Sequence, residues 1–192
     1  SSGFHAMCKK LLGENVAVLE QTIQLLDPRQ VSRAVDLLRR SRRVVCMGQG
    51  SSMVLSEEAW TLFSTVSPKF LFVPDSHLQM NTLALMDPDE LVLFFSYSGS
   101  TRDFQDLLEV ARQRQVKVVL VSRFPKSPGG QLADVVLQCG ADEGPLQAGS
   151  VNARMAQLFV LDVLFQEFCM RAPEETEQSR EQIAEAVARK HL

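Results

Sequence analysis

Five short, β-branched apolar runs punctuate this sequence, and helix-length stretches of a different period separate them. The runs are Arg43–Met47, Phe70–Val73, Leu91–Phe95, Lys117–Val121 and Asp134–Gln138. Most are apolar without alternation, as expected of strands covered on both faces. Between them, Ser52–Thr65, Leu78–Met86 and Arg102–Gln113 repeat their apolar residues at the helical period. Strands alternating with helices predict an α/β fold with a parallel, doubly wound sheet. The chain has 192 residues, 45% of them hydrophobic, which is enough for one such domain with a real core.

Helices are also expected outside the alternating region. Glu14–Leu26 puts Val16, Leu19, Ile23 and Leu26 on one stripe, and Asp27-Pro28 breaks the chain before a second helix, Gln30–Arg40. A loop, Gly140–Gly149, follows the fifth strand, and a helix runs from about Ser150 to Met170. Its segment Leu158–Phe168 is apolar almost all round, so burial is expected, in the core or against a second subunit. After Ala172-Pro173, Glu174–Lys190 forms a last helix, acidic at its start and basic at its end as the helix dipole favours. It is expected to be peripheral or docked on a partner chain. Ser1-Ser2-Gly3 reads as a cloning remnant, and residues 1–13 as that remnant with an interdomain linker. The domain is therefore expected to come from a longer protein.

Charge and cysteine usage exclude several functions. A net charge of −3 gives the domain no electrostatic case for nucleic acid. The one dense basic run, Arg39-Arg40-Ser41-Arg42-Arg43, ends a helix and enters a strand, where cations suit the helix terminus. No apolar run approaches the roughly 20 residues of a membrane helix, so no membrane partner is expected. Cys8, Cys46, Cys139 and Cys169 form no Cys-x-x-Cys pair and have no nearby histidine. They read as reduced thiols in a cytoplasmic protein without a metal or other cofactor.

Two strand ends carry unusual loops. The first strand runs into Gly48-Gln49-Gly50-Ser51-Ser52, and the third into Ser96-Tyr97-Ser98-Gly99-Ser100-Thr101. Ligands of doubly wound sheets sit beyond the carboxyl ends of the strands. Glycine lets the backbone approach an anion, the following helix aims unpaired N–H groups at it, and hydroxyls add donors. The first loop alone is equally well read as a tight turn with Ser51 or Ser52 capping a helix. The second holds four hydroxyl-bearing residues besides Tyr97, more than one cap requires. The third glycine of a dinucleotide fingerprint is replaced by Met53, and no Gly-Lys-Ser/Thr of a Walker loop occurs.

These loops, with Leu19–Asp27, Asp75-Ser76-His77-Leu78-Gln79 and Ala153-Arg154-Met155-Ala156-Gln157-Leu158, resemble the SIS (sugar isomerase) domain. The resemblance is closest to the effector domain of RpiR/MurR-type bacterial transcription regulators. It implies a three-layer α-β-α sandwich, flavodoxin-like, with a five-stranded parallel sheet, assembled as a homodimer or homotetramer. It implies residues 14–172 as the SIS domain and 173–192 as a C-terminal helix. It also implies a phosphorylated sugar bound by Ser52, Ser96, Tyr97, Ser98 and Thr101, and Gly50, Ser51 and Gly99 of the same loops are expected in that site. In such regulators the sugar changes the DNA affinity of an N-terminal helix-turn-helix domain, which this sequence does not show. Ala153 departs from the serine common before the arginine.

Other residues are open to several readings. Glu143, after the last strand, can be a base for aldose–ketose isomerisation, a sugar contact or a solvated carboxylate. His77 can reach the sugar or sit at a helix start, and Arg154 can meet the ligand or form a structural ion pair. Arg102 can supplement the phosphate site or pair with Asp106. A non-enzymatic sensor is expected, with a stand-alone sugar-phosphate isomerase using Glu143 or His77 as the alternative.

Overall fold

The computed structural model describes residues 2–140 and 151–191. Helix α1 (Ser2–Leu25) and α2 (Pro28–Arg40) precede the first strand, β1 (Arg43–Gly48). A single 3-10 turn, Gly50–Ser52, leads into α3 (Met53–Phe63). Then come β2 (Phe70–Phe72), α4 (Ser76–Ala84), β3 (Glu90–Phe95), α5 (Arg102–Gln113) and β4 (Lys117–Ser122). The chain continues through α6 (Pro128–Leu132), β5 (Val135–Gln138), α7 (Val151–Arg171) and α8 (Pro173–Ala188) to a last 3-10 turn at Arg189–His191.

All five strands are parallel and lie in the order β2-β1-β3-β4-β5. Side chains alternate across a strand, so each strand feeds two cores. Val44 and Cys46, with Leu91, Leu93, Phe95, Val119 and Val121, join residues of α1, α2, α3 and α7. Val45 and Met47, with Val92, Phe94, Val118 and Leu120, join residues of α4 and α5. This is the expected three-layer sandwich.

Two helices depart most from the sequence reading. Helix α1 begins at Ser2 rather than near Glu14, and α6 was not foreseen. Helix α6 has a clear start, since Ser127 Oγ accepts from the Gly130 amide at 3.1 Å and Pro128 opens it. Its five residues hold too few apolar positions to show a period.

The basic run is structural for three of its arginines. Arg39 donates to the Phe168 carbonyl at 2.6 Å, and its guanidinium lies 3.9 Å from the Phe168 ring centroid. Arg42 pairs with Asp89 at 2.9 Å, and both it and Arg43 meet the buried Glu90. Cys46, Cys139 and Cys169 are buried and free, and burial pushes the Cys139 thiol up to about 12. Among the described residues, no helix is long and apolar enough to cross a membrane.

The Phe63 ring stacks on Phe70 at 4.3 Å and meets the edges of Phe165 and Phe168 at 5.4 and 5.2 Å. It locks α3 and β2 to α7. Phe63→Ala should lower stability by about 3–5 kcal/mol, read from the urea unfolding midpoint.

Candidate anion-binding site

The β1–β3 pairing ends at Gly48 opposite Phe95, so the two serine loops leave the sheet side by side. The chain steps outward from β1 to β2 and back across to β3, which makes this the topological switch point of the sheet.

The first loop needs glycine twice. A Cβ on Gly48 would lie 2.5 Å from the Ser52 carbonyl oxygen, because the chain folds back over the strand end. Gly50 has a φ of +58°, in the left-handed region. Ser52 is buried, yet its hydroxyl makes no hydrogen bond to cap α3.

The second loop is held by its own hydroxyls. Ser96 Oγ accepts from the Gly99 amide at 3.1 Å, and Ser98 Oγ accepts from the Ser100 amide at 3.3 Å. Each oxygen is thereby fixed while its proton stays available to donate. Thr101 sits at the N-cap of α5 without capping it, and instead donates to Gln49 Oε1 of the first loop at 3.2 Å. The capped-turn reading therefore fails at both helix starts, and the leading amides of α3 and α5 receive no bond from these cap side chains. Such amides, with the positive helix ends behind them, suit an anion.

Tyr97 points the other way. Its ring is buried in the core on the α1/α7 side, 6.5 Å from Phe124 in an edge-to-face arrangement. A Cβ on Gly140 would lie 2.3 Å from the Tyr97 hydroxyl. The Gly140 amide in turn donates to Thr22 Oγ1 of α1 at 3.0 Å. The resemblance implies Tyr97 as a ligand contact, and the structure places its ring in the core beside the loop. Its large apolar ring gains more from the core than from the crevice.

Beside the loops, an open cavity of about 220 Å³ is lined by Gln49, Ser76, His77, Asp103 and Asp106 over apolar side chains. His77, exposed in the first turn of α4, thus shares a space with the loop residue Gln49. A cavity of about 350 Å³ at the opposite end of β4, lined partly by Arg112, Lys117 and Asp134, is larger but meets neither loop. Arg154 is exposed in the first turn of α7 and has no ion pair or hydrogen bond among the described residues. Arg102 does not pair with Asp106, and Glu143 lies outside the described residues.

The sequence reading missed four supporting residues. Gln79 is fully buried and its amide nitrogen donates to the Gly48 carbonyl at 2.9 Å and the Val73 carbonyl at 3.1 Å, tying α4 to the ends of β1 and β2. Ser122 donates to the Tyr97 carbonyl at 3.1 Å. Ser127 stands against Gly99, and Gln49 bridges the loops. Only the Ser127-Pro128 helix start had a local signal.

The sequence profile of the SIS domain matches residues 37–166, and the chain belongs to that family. It is 27% identical over 161 residues to the HTH-type transcriptional regulator YbbH of Bacillus subtilis, covering 83% of this chain and 57% of YbbH. The NanR protein of Vibrio vulnificus, solved in complex with ManNAc-6P, superposes with a TM-score of 0.88 at 25% identity, over 95% of this chain and 69% of that one. The sugar isomerase domain of an RpiR transcription factor from Sphaerobacter thermophilus gives 0.82 at 21% identity, over 92% and 97%. The chain spans about half the length of the curated regulators it matches, from 46% to 61%.

Two glycines with positive φ separate backbone strain from crowding. At Gly99 (φ +64°) a Cβ would also lie 2.3 Å from Ser127 Oγ, whereas at Gly50 the space is open. Gly50→Ala should cost about 1 kcal/mol and Gly99→Ala about 2 kcal/mol or more, compared by chemical denaturation.

Proposed function

We propose that this chain is the phosphosugar-sensing effector domain of a transcription regulator. The carrying observation is the pair of helix starts, uncapped by their own hydroxyls, that meet where β1 and β3 end side by side. In this reading the phosphate takes the amides at the two helix starts and the hydroxyls of Ser52, Ser96, Ser98 and Thr101. Gly50, Ser51 and Gly99 shape the cradle. Similarity to NanR, which was solved with a phosphorylated amino sugar, supports this ligand class. Residues 14–172 form the sensing domain with the 173–192 helix appended, and a homodimer or homotetramer transmits the signal to DNA through a helix-turn-helix domain.

Sensing requires the ligand to favour one arrangement of the protein over another. The second loop offers a mechanical connection for this. Tyr97 leaves the loop toward Gly140, and Gly140 is bonded to Thr22 of α1. A phosphate that tightens residues 96–101 thereby bears on the helix at the amino-terminal side of the domain.

An isomerase would need a base placed at the sugar carbons, for which His77 and Glu143 are the candidates. His77 favours that reading by lining the cavity next to the loops.

Three outcomes test the proposal. Ser52→Ala and Ser96→Ala should each weaken every phosphorylated sugar that binds, by about 1.5–3 kcal/mol, seen as a smaller thermal shift across a phosphosugar panel. No member of that panel should undergo aldose–ketose conversion, and turnover abolished by Glu143→Gln would establish the isomerase instead. Thr22→Val should leave the sugar dissociation constant within about threefold, a change under 1 kcal/mol. It should remove the ligand-induced hydrogen-exchange protection of α1.

A further inference from the structure

The cavity between the first turns of α4 and α5 is walled by polar groups without partners. Gln49 Nε2 is shut off from solvent and makes no hydrogen bond, while Gln49 Oε1 is held by the Thr101 hydroxyl. A buried donor of this kind calls for a partner. Asp103, Asp106 and His77 line the same space, and none of their side chains forms a hydrogen bond or ion pair among the described residues. At about 220 Å³ the cavity is smaller than the roughly 300–1,000 Å³ of a whole small-molecule site. It suits one part of a ligand whose other part lies outside it.

We infer that this cavity takes the uncharged, hydroxyl-bearing part of the ligand, with Gln49, Asp103 and Asp106 setting its specificity. The inference rests on the phosphosugar reading of the two loops. Donor and acceptor chemistry selects the class. The carboxylates accept from hydroxyls, and Gln49 Nε2 needs an acceptor, which a hydroxyl or an amide carbonyl oxygen supplies. An ammonium group only donates and would leave Gln49 facing another donor. A second anionic group would meet two carboxylates of its own sign. A metal ion does not fit either, because these side chains do not bring their ligand atoms within 4.8 Å of one another. Among the described residues only Asp87, Asp89 and Glu90 do, and those already face arginines.

Gln49 stands at the junction. Its oxygen accepts from the Thr101 hydroxyl, next to the start of α5, and the residue lines the cavity. Phosphate binding and sugar recognition would thus meet in one side chain.

The test is a comparison of two probes, inorganic phosphate and a hexose 6-phosphate. Glucose 6-phosphate and N-acetylmannosamine 6-phosphate are both titrated, and the tighter one is used. Dissociation constants are measured by NMR titration for the unchanged chain, Asp106→Asn and Gln49→Leu. Asp106→Asn alters an exposed carboxylate on α5 and leaves the core untouched. The preference for hexose phosphate over inorganic phosphate should fall about tenfold in each variant, the loss expected for one charge-assisted or buried hydrogen bond. An unchanged preference in both variants would overturn the inference, placing the sugar elsewhere. Equal weakening of both probes would also overturn it, since the residues would then serve only the phosphate loops. Ser52→Ala separates the two levels, because it should weaken both probes alike. If it weakens neither, the phosphate site itself is misplaced.

Discussion

The structure depends first on the six-residue parallel pairing of β1 with β3. Because β1 also pairs with β2, the chain must cross back over β1 to reach β3, and the crevice opens where these two strands end. Everything proposed for ligand binding follows from Gly48 and Phe95 being neighbours. The loops then add a second constraint, backbone crowding. Gly48 lies against the Ser52 carbonyl and Gly99 against Ser127, so neither position has room for a side chain. With the backbone fixed, the Ser96 and Ser98 oxygens accept from neighbouring amides, which leaves their protons free to donate to a ligand. Hydroxyls ordered before the ligand arrives lose less entropy on binding it.

Strands and the two loops were legible in the sequence because each rests on a local rule. A short β-branched run flanked by helical periodicity leaves little choice, and the strand limits agree to within a residue or so. The start of α1 was not legible. Ser2–Gly13 contains Gly3 and Gly13, and no stripe in it meets the core, so nothing in the apolar pattern distinguishes a helix from a linker. The backbone continues the helix regardless. Within the candidate site, the hydroxyl residues stand out by type, whereas the inward direction of the Tyr97 ring was not legible because strand alternation stops at Phe95 and loop side chains follow no period. Gln49 and Gln79 escaped for a different reason. A glutamine acts here through partners 31 and 52 residues away, Gln79 with Gly48 and Gln49 with Thr101, and no local spacing records such a bond.

The inward direction of the Tyr97 ring is informative in itself. The loop that holds the serines toward solvent also sends its one aromatic ring inward, to the place where β5 ends. Gly140 there has a φ of +101° and no room for a side chain beside the Tyr97 hydroxyl. Its amide is satisfied by Thr22, a threonine buried in a helix, whose own proton goes back to the Val18 carbonyl at 2.7 Å. A threonine at this depth would be a poor choice for packing alone, since valine has nearly the same shape and no hydroxyl to satisfy. Its hydroxyl is explained by the Gly140 amide, which would otherwise be a buried donor without a partner.

The same economy separates sensing from catalysis. An isomerase must place a base against two adjacent carbons within hydrogen-bond reach, and that demand fixes the sugar rigidly relative to the loops. A sensor has a weaker demand at the sugar and a stronger one behind the phosphate. The ligand must do more work on the protein than the protein does on the ligand. The cavity side offers exposed carboxylates and His77, whose side chains make no hydrogen bond or ion pair among the described residues and can meet hydroxyls. The core side offers Tyr97, Gly140 and Thr22, buried and in sequence from loop to helix. Among the described residues, the buried bonds thus lie behind the two serine loops, on the path toward α1, and that distribution suits the proposed sensing role.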